Sequence, residues 1–246
     1  MRKKPKIYVI KLDRKKLLLL GLTILLIITI TFLKGFRVSK IFNYKNKEAI
    51  VIDPGHGGID GGTSDKTGLL EKDINLDVGL KLKKELLVEG YGGIMTREKD
   101  ESLENLSSIN ASRYRRDLNV RKTIINENEP LAFASIHVNS SKKSGARGVK
   151  IYYFPTSTEG KRLAESIAKS VDINLYGKFL KDDNLRAEVL PEDYFILRET
   201  KYPGALVEIG FITNPEENKL LQDEGYKEKV AFAIKKGIVE YLKGSQ

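Results

Sequence analysis

Ala49-Ile50-Val51-Ile52-Asp53-Pro54-Gly55-His56-Gly57-Gly58 decides how the rest of the chain is read. An apolar run that stops at Pro-Gly reads as a buried strand entering a loop. Five glycines, Gly55, Gly57, Gly58, Gly61 and Gly62, then let the backbone come close to another group. From Glu71 to Glu89 the spacing turns helical, with Ile74, Val78, Leu82 and Leu86 on one face. Strand, glycine loop and helix in that order are the first unit of an alternating α/β domain.

The pattern continues outward. Further strands are expected at Gly92–Thr96, Leu131–Ile136, Gly148–Phe154, Tyr194–Leu197 and Ala205–Ile209. In Gly148–Phe154, Val149, Ile151 and Tyr153 alternate as on a half-buried strand. Helices are expected at Leu106–Glu127, Thr158–Leu175, Pro215–Leu221 and Lys227–Leu242. The expectation is a single three-layer α/β domain over residues 49–246. Its central sheet, mostly parallel or mixed and of about six strands, is flanked by helices. No internal repeat, low-complexity tract or second domain is visible in the 246 residues.

The formal charge of +10 suggests nucleic acid until it is located. Residues 1–49 hold 13 of the 43 Lys/Arg and only 2 of the 33 Asp/Glu, so the body is almost neutral. A nucleic-acid-binding domain keeps its basic face on the folded part, which argues against that class. Leu17–Leu33 is an uncharged run rich in Leu and Ile, near the lower length limit for a membrane helix. Residues 1–16 are therefore expected to be a cytoplasmic basic N-terminus, 17–33 a transmembrane signal anchor and 34–48 a basic tether. Lys34, Arg37 and Lys40 after the run suit anionic lipid headgroups. The rival reading, a cleaved signal peptide, lacks a small-residue cleavage site, since Phe32-Leu33-Lys34-Gly35-Phe36-Arg37 is bulky and basic. The body is thus expected on the extracytoplasmic side. There is no cysteine, which removes thiolate metal sites and thiol chemistry.

Only two histidines occur, His56 and His137, each at the end of an apolar run. Each alone reads equally well as an ordinary loop or strand-end histidine. Together they suggest one metal site built from distant segments, since histidine is the commonest zinc ligand. A hydrolytic zinc site needs three protein ligands and one open position. Without cysteine, the third ligand is a carboxylate; Glu71 is the leading candidate and Asp73 its competitor. Glu71 also suits a helix N-terminus on dipole grounds alone. Glu208 lies among Leu206, Val207, Ile209 and Phe211, where a carboxylate is costly to bury unless paired or used. It reads either as a proton-transfer group or as the partner of a buried arginine such as Arg97 or Arg198.

Four motifs carry a resemblance: Asp53-Pro54-Gly55-His56-Gly57-Gly58, Glu71-Lys72-Asp73, Ser135-Ile136-His137-Val138-Asn139-Ser140, and Leu206-Val207-Glu208-Ile209-Gly210-Phe211-Ile212-Thr213-Asn214. In order and spacing they resemble the type 3 N-acetylmuramoyl-L-alanine amidases, zinc-dependent peptidoglycan hydrolases, from about Ala49 to Leu242. The resemblance implies one zinc per chain held by His56, Glu71 and His137, with Glu208 as the catalytic residue. It implies peptidoglycan as substrate, cut between the muramic acid lactyl carbonyl and the amine of L-alanine. Asn75, four residues after Glu71 and so on the same helix face, and Asn139 are candidates for orienting ligands or substrate, as is Arg198. The layout of anchor plus single catalytic domain is similar to the sporulation amidases of endospore formers. That similarity implies a role in muramic-δ-lactam formation in spore cortex, placement in the forespore cortex space and a sporulation protein as partner. A zinc peptidase cutting within the stem peptide and a non-catalytic wall-binding protein are the alternatives.

Overall fold

Three strands with buried, β-branched-rich sequences form the middle of the sheet. They are β1 (Ala49–Pro54), β3 (Ala132–Asn139) and β6 (Gly204–Phe211). The remaining strands are β2 (Gly92–Met95), β4 (Lys150–Tyr153) and β5 (Glu188–Pro191), and the sheet runs β2-β1-β3-β6-β4-β5. The pairings of β1 with β2 and β3, of β3 with β6 and of β4 with β5 are parallel, while β4 meets β6 antiparallel. The sheet is therefore mixed and six-stranded, as expected. This computed structural model describes residues 48–244 and the isolated positions 13, 15, 22 and 23. The anchor read at 17–33 and the basic stretches on either side lie outside the described residues, apart from those few positions. Among the described residues no helix is long and apolar enough to cross a membrane.

Strand alternation sorts the side chains into two cores. Ile50, Ile52, Ala134, Ile136, Val207 and Ile209 meet helices α1 (Glu71–Glu89), α3 (Thr158–Val171) and α6 (Glu224–Lys243) on one face. Val51, Phe133 and Leu206 meet Ile125 of α2 (Arg113–Glu127) and Ile196 and Leu197 of α4 (Phe195–Arg198) on the other. A short helix, α5 (Pro215–Gln222), precedes α6. On α1, Ile74, Val78, Leu82 and Leu86 are all buried. Each stabilises the fold by roughly 1.5–3 kcal/mol.

The structure corrects four element boundaries. Tyr194–Leu197 is not a strand; Phe195–Arg198 makes one helical turn, with Leu197 and Arg198 N–H groups donating to Tyr194 O at 3.1 and 3.0 Å. Those amides are spent inside the turn, which leaves them no part in a sheet ladder. The sixth strand is instead Glu188–Pro191, an edge strand whose short, half-exposed sequence gives no alternation and whose Pro191 suits an edge. The helix expected from Leu106 starts at Arg113, because Ser112 caps it by accepting from Arg115 N at 3.3 Å. Glu104–Leu106 is a separate single turn. The helix expected to run from Thr158 to Leu175 changes at Asp172 into a wider π-helical segment, Asp172–Leu180, ended by Lys181 in a left-handed conformation.

Candidate active site

The chemistry-bearing side chains gather at the carboxyl ends of the parallel strands, where open α/β sheets bind ligands. By strand parity Asp53, Ser135, His137 and Glu208 project on the same face as Val51, Phe133 and Leu206. His137 and Glu208 are register partners across β3 and β6, so a single strand pairing sets them side by side. The register shifts between His137 and Asn139, an irregularity of the kind that re-aims side chains beside sites.

The glycine loop delivers the second histidine. His56 takes φ 61°, a left-handed conformation uncommon for a non-glycine residue. The loop is fastened to α1 rather than capped by a side chain. Glu71 N donates to Thr63 O at 2.9 Å and Lys72 N to Gly61 O at 3.2 Å, satisfying amides that a helix start leaves open. The Glu71 carboxylate is thereby turned back towards the loop. A Cβ on Gly55 would lie 2.2 Å from the His137 ring, and one on Gly62 2.5 Å from Glu71 Oε2. Those two glycines are required by close approach.

Glu71 Oε1 lies 3.3 Å from His56 Nε2 and 2.9 Å from His137 Nδ1. The three donor atoms all fall within 4.8 Å of one another, and the two rings meet edge to face with centroids 5.0 Å apart. Two imidazole nitrogens and one carboxylate oxygen form a donor set that fits zinc with a position left open. Asp73, the competing carboxylate, is exposed and outside the group. Glu71 is held by Thr63 N at 2.8 Å, Val138 N at 3.1 Å and Asn75 Nδ2 at 3.3 Å. Burial opposes its charge, but the histidines outweigh it and hold the carboxyl well below the usual range. His56 experiences the converse. Burial works against its cation, yet Glu71 and Asp60 push the imidazole up to about 9. Asp60 Oδ2, at 2.8 Å from His56 Nδ1, leaves Nε2 facing the cluster.

Glu208 stands beside this group without an arginine. Its Oε2 is buried and has no hydrogen-bond partner. Burial pushes its carboxyl up to about 7; His137 opposes the shift and Glu71 adds to it. The arginines proposed as partners are engaged elsewhere. Arg97 donates to the carbonyls of Pro54, Gly55, Lys72 and Lys99. Arg198 is paired on the surface with Asp193 at 2.6 Å and Glu199 at 3.0 Å, and is not brought to the cluster. Asn75 is buried and bridges Gly55 O and Glu71 Oε1, both at 3.3 Å. Asn139 ends β3, its Oδ1 accepting from Ser140 N at 2.8 Å. A cavity of about 230 Å³ opens next to Glu208 and both histidines, walled by Tyr114, Leu118, Tyr194, Phe195 and Leu206.

Sequence reasoning missed Asp60, Asp53, Ser135 and Arg121. Asp53 accepts from Thr96 Oγ1 and Ser135 Oγ at 2.7 Å each and from Arg121 at 2.8 Å. Arg121 carried one available signal. It shares the apolar spacing of Leu118 and Ile125 on α2, which places it on the buried face.

The comparisons with known proteins agree with this geometry. The family model for N-acetylmuramoyl-L-alanine amidase matches residues 50–240. The germination-specific N-acetylmuramoyl-L-alanine amidase of Bacillus subtilis is 35% identical over 240 residues, covering 93% of this chain and 96% of that protein. The structure of the CwlD amidase from Clostridioides difficile, solved in complex with the GerS lipoprotein, superposes with a TM-score of 0.73 at 36% identity, covering 80% of this chain and all of that one. An N-acetylmuramoyl-L-alanine amidase structure from Clostridium difficile 630 gives 0.68 at 29% identity, covering 82% of this chain and 100% of that one. With matches across nearly the whole body, this chain belongs to the N-acetylmuramoyl-L-alanine amidase family.

Proposed function

We propose that this chain is a zinc-dependent amidase that cuts peptidoglycan between the muramic acid lactyl group and L-alanine, acting in spore cortex. One observation carries the catalytic part. Glu208, with a buried unpartnered oxygen, stands in register beside His137 of a His-Glu-His donor set. His56 Nε2, Glu71 Oε1 and His137 Nδ1 are the atoms that would hold the metal. Zinc bound there supplies a Lewis acid and makes water a nucleophile at neutral pH.

The protein's own groups do the rest. Glu208 as carboxylate takes a proton from the attacking water, then returns it to the departing amine of L-alanine as the C–N bond breaks. A carboxyl at about 7 can do both near neutrality. Asp60 and Thr63 fix His56 and Glu71 from behind. The aromatic wall of Tyr114, Tyr194 and Phe195 offers an apolar surface to the muramyl peptide.

Mass spectrometry of digested peptidoglycan tests the reaction. Free N-terminal L-alanine on intact stem peptides is the expected product, and cuts inside the stem would instead support a peptidase. The cortex role and a lipoprotein partner rest on likeness to the germination-specific and lipoprotein-bound relatives. Anchoring by residues 17–33, with the catalytic body outside the membrane, rests on the apolar run and the basic residues before it. Membrane fractionation of the full chain, with protease added from the outer side, is expected to find the body in the pellet and cleavable. A soluble body sinks the anchor.

A further inference from the structure

Arg121 is only 2% exposed although it carries a charge, and nothing in the proposed reaction uses it. Its guanidinium is aimed at the ligand loop. Nη1 donates to Pro54 O at 2.8 Å and Nη2 to His56 O at 2.6 Å, while Asp53 at 2.8 Å and Asp117 take up its charge. Arg97, equally buried, reaches the same loop from the other side. It donates to Pro54 O and Gly55 O, both at 3.0 Å, and to Lys72 O at 2.8 Å. Three successive carbonyls, of residues 54, 55 and 56, are therefore gripped by two guanidinium forks, and Pro54 O accepts from both.

That arrangement is costly. Two buried cations sit close together, and burial next to Arg121 pushes Arg97 down to about 10. A helix end or strand edge would need no such pair. The loop does, because His56 must hold φ 61° for its ring to face Glu71. Lysine could not substitute, since a single ammonium lacks the planar fork that reaches several carbonyls and a carboxylate at once.

We propose that Arg121, acting with Arg97, is a positioning residue for the metal site: by clamping the carbonyls of residues 54–56 it holds His56 in its left-handed conformation and sets the site's affinity for zinc. Arg97 extends the clamp to the second ligand through Lys72 O, the residue directly after Glu71. The proposal rests on the reading of His56, Glu71 and His137 as zinc ligands.

The test uses the full chain in detergent as wild type, Arg121→Lys, Arg97→Lys and Ile238→Ala. Ile238 is fully buried on α6, outside the site, and its truncation lowers stability without touching the loop. Zinc affinity is measured against a competing chelator, metal-free melting is recorded, and visible spectra of cobalt(II)-substituted protein report ligand geometry. Arg121→Lys is expected to weaken zinc binding roughly 10- to 100-fold, as loss of groups that orient ligands does, and to alter the cobalt bands. Ile238→Ala is expected to melt lower with wild-type zinc affinity and spectrum. Unchanged zinc affinity in Arg121→Lys, or an equal loss in Ile238→Ala, overturns the proposal. Should Arg121→Lys fail to fold, Arg97→Lys decides by the same comparison. Wild-type protein that takes up no zinc overturns the metal reading itself, before any variant is compared.

Discussion

Glu208 sits on a central strand between Val207 and Ile209, and its buried Oε2 has no partner. The same burial that raises its carboxyl from 4.5 to about 7 makes it useful for proton transfer and harmful to stability. Between those values the folded protein binds more protons than the unfolded chain. Stability from this group is fully present below 4.5 and is lost as pH rises through about 7. Replacing it with an uncharged isostere separates the two effects. Glu208→Gln is expected to keep the fold and the metal and to lose roughly 100- to 10,000-fold in turnover. The metal-free variant is expected to be more stable than metal-free wild type at pH 8 by about 3 kcal/mol, a gain that fades towards pH 4.5. Urea unfolding at both pH values, alongside peptidoglycan turnover, checks this. Near-wild-type turnover would remove Glu208 from the reaction.

At the level of elements, the segments that position the site were the most legible ones. The Glu71–Glu89 helix was read to the residue, because four buried aliphatics at helical spacing leave one solution and Gly90 ends it with φ 95°. The central strands were legible because both of their faces are buried, so they read as continuous apolar runs. The edge strand Glu188–Pro191 and the turn Phe195–Arg198 were not, since each is four residues long and shaped by its neighbours. The contact that binds the glycine loop to α1 was also invisible, because it is made between backbone atoms. Gly90 allows a test confined to one element. No atom lies within 4 Å of where its Cβ would be, so Gly90→Ala changes only conformational cost. A loss of about 1 kcal/mol or somewhat more is expected, with zinc content and turnover unchanged. Thermal melting beside metal analysis measures it, and a loss of zinc would show that the far end of α1 is coupled to Glu71.

Over the whole molecule, the charge excess and the chemistry-bearing residues lie in different parts of the chain. The basic excess lies before the folded body, and the two histidines and two glutamates that define the site are scattered over more than 150 residues of chain. What joins them is the strand order β1-β3-β6, which sequence reading left open. The proposed ligands come from a loop, a helix start and a strand, so a bound metal would link three segments that the unfolded chain does not hold together. A ligand that binds only the folded form stabilises it by about 2.7 kcal/mol at a free concentration one hundred times its Kd. For a body of this size that corresponds to roughly 5–10 °C in melting temperature. Chelator is therefore expected to lower the wild-type melting temperature by such an amount and to leave His137→Ala unaffected, because that variant has lost a ligand beforehand. Metal analysis should find one zinc per wild-type chain and almost none in His137→Ala. Equal zinc in the two proteins would exclude His137 as a ligand, and an equal response of both to chelator would mean that the stabilising metal sits elsewhere.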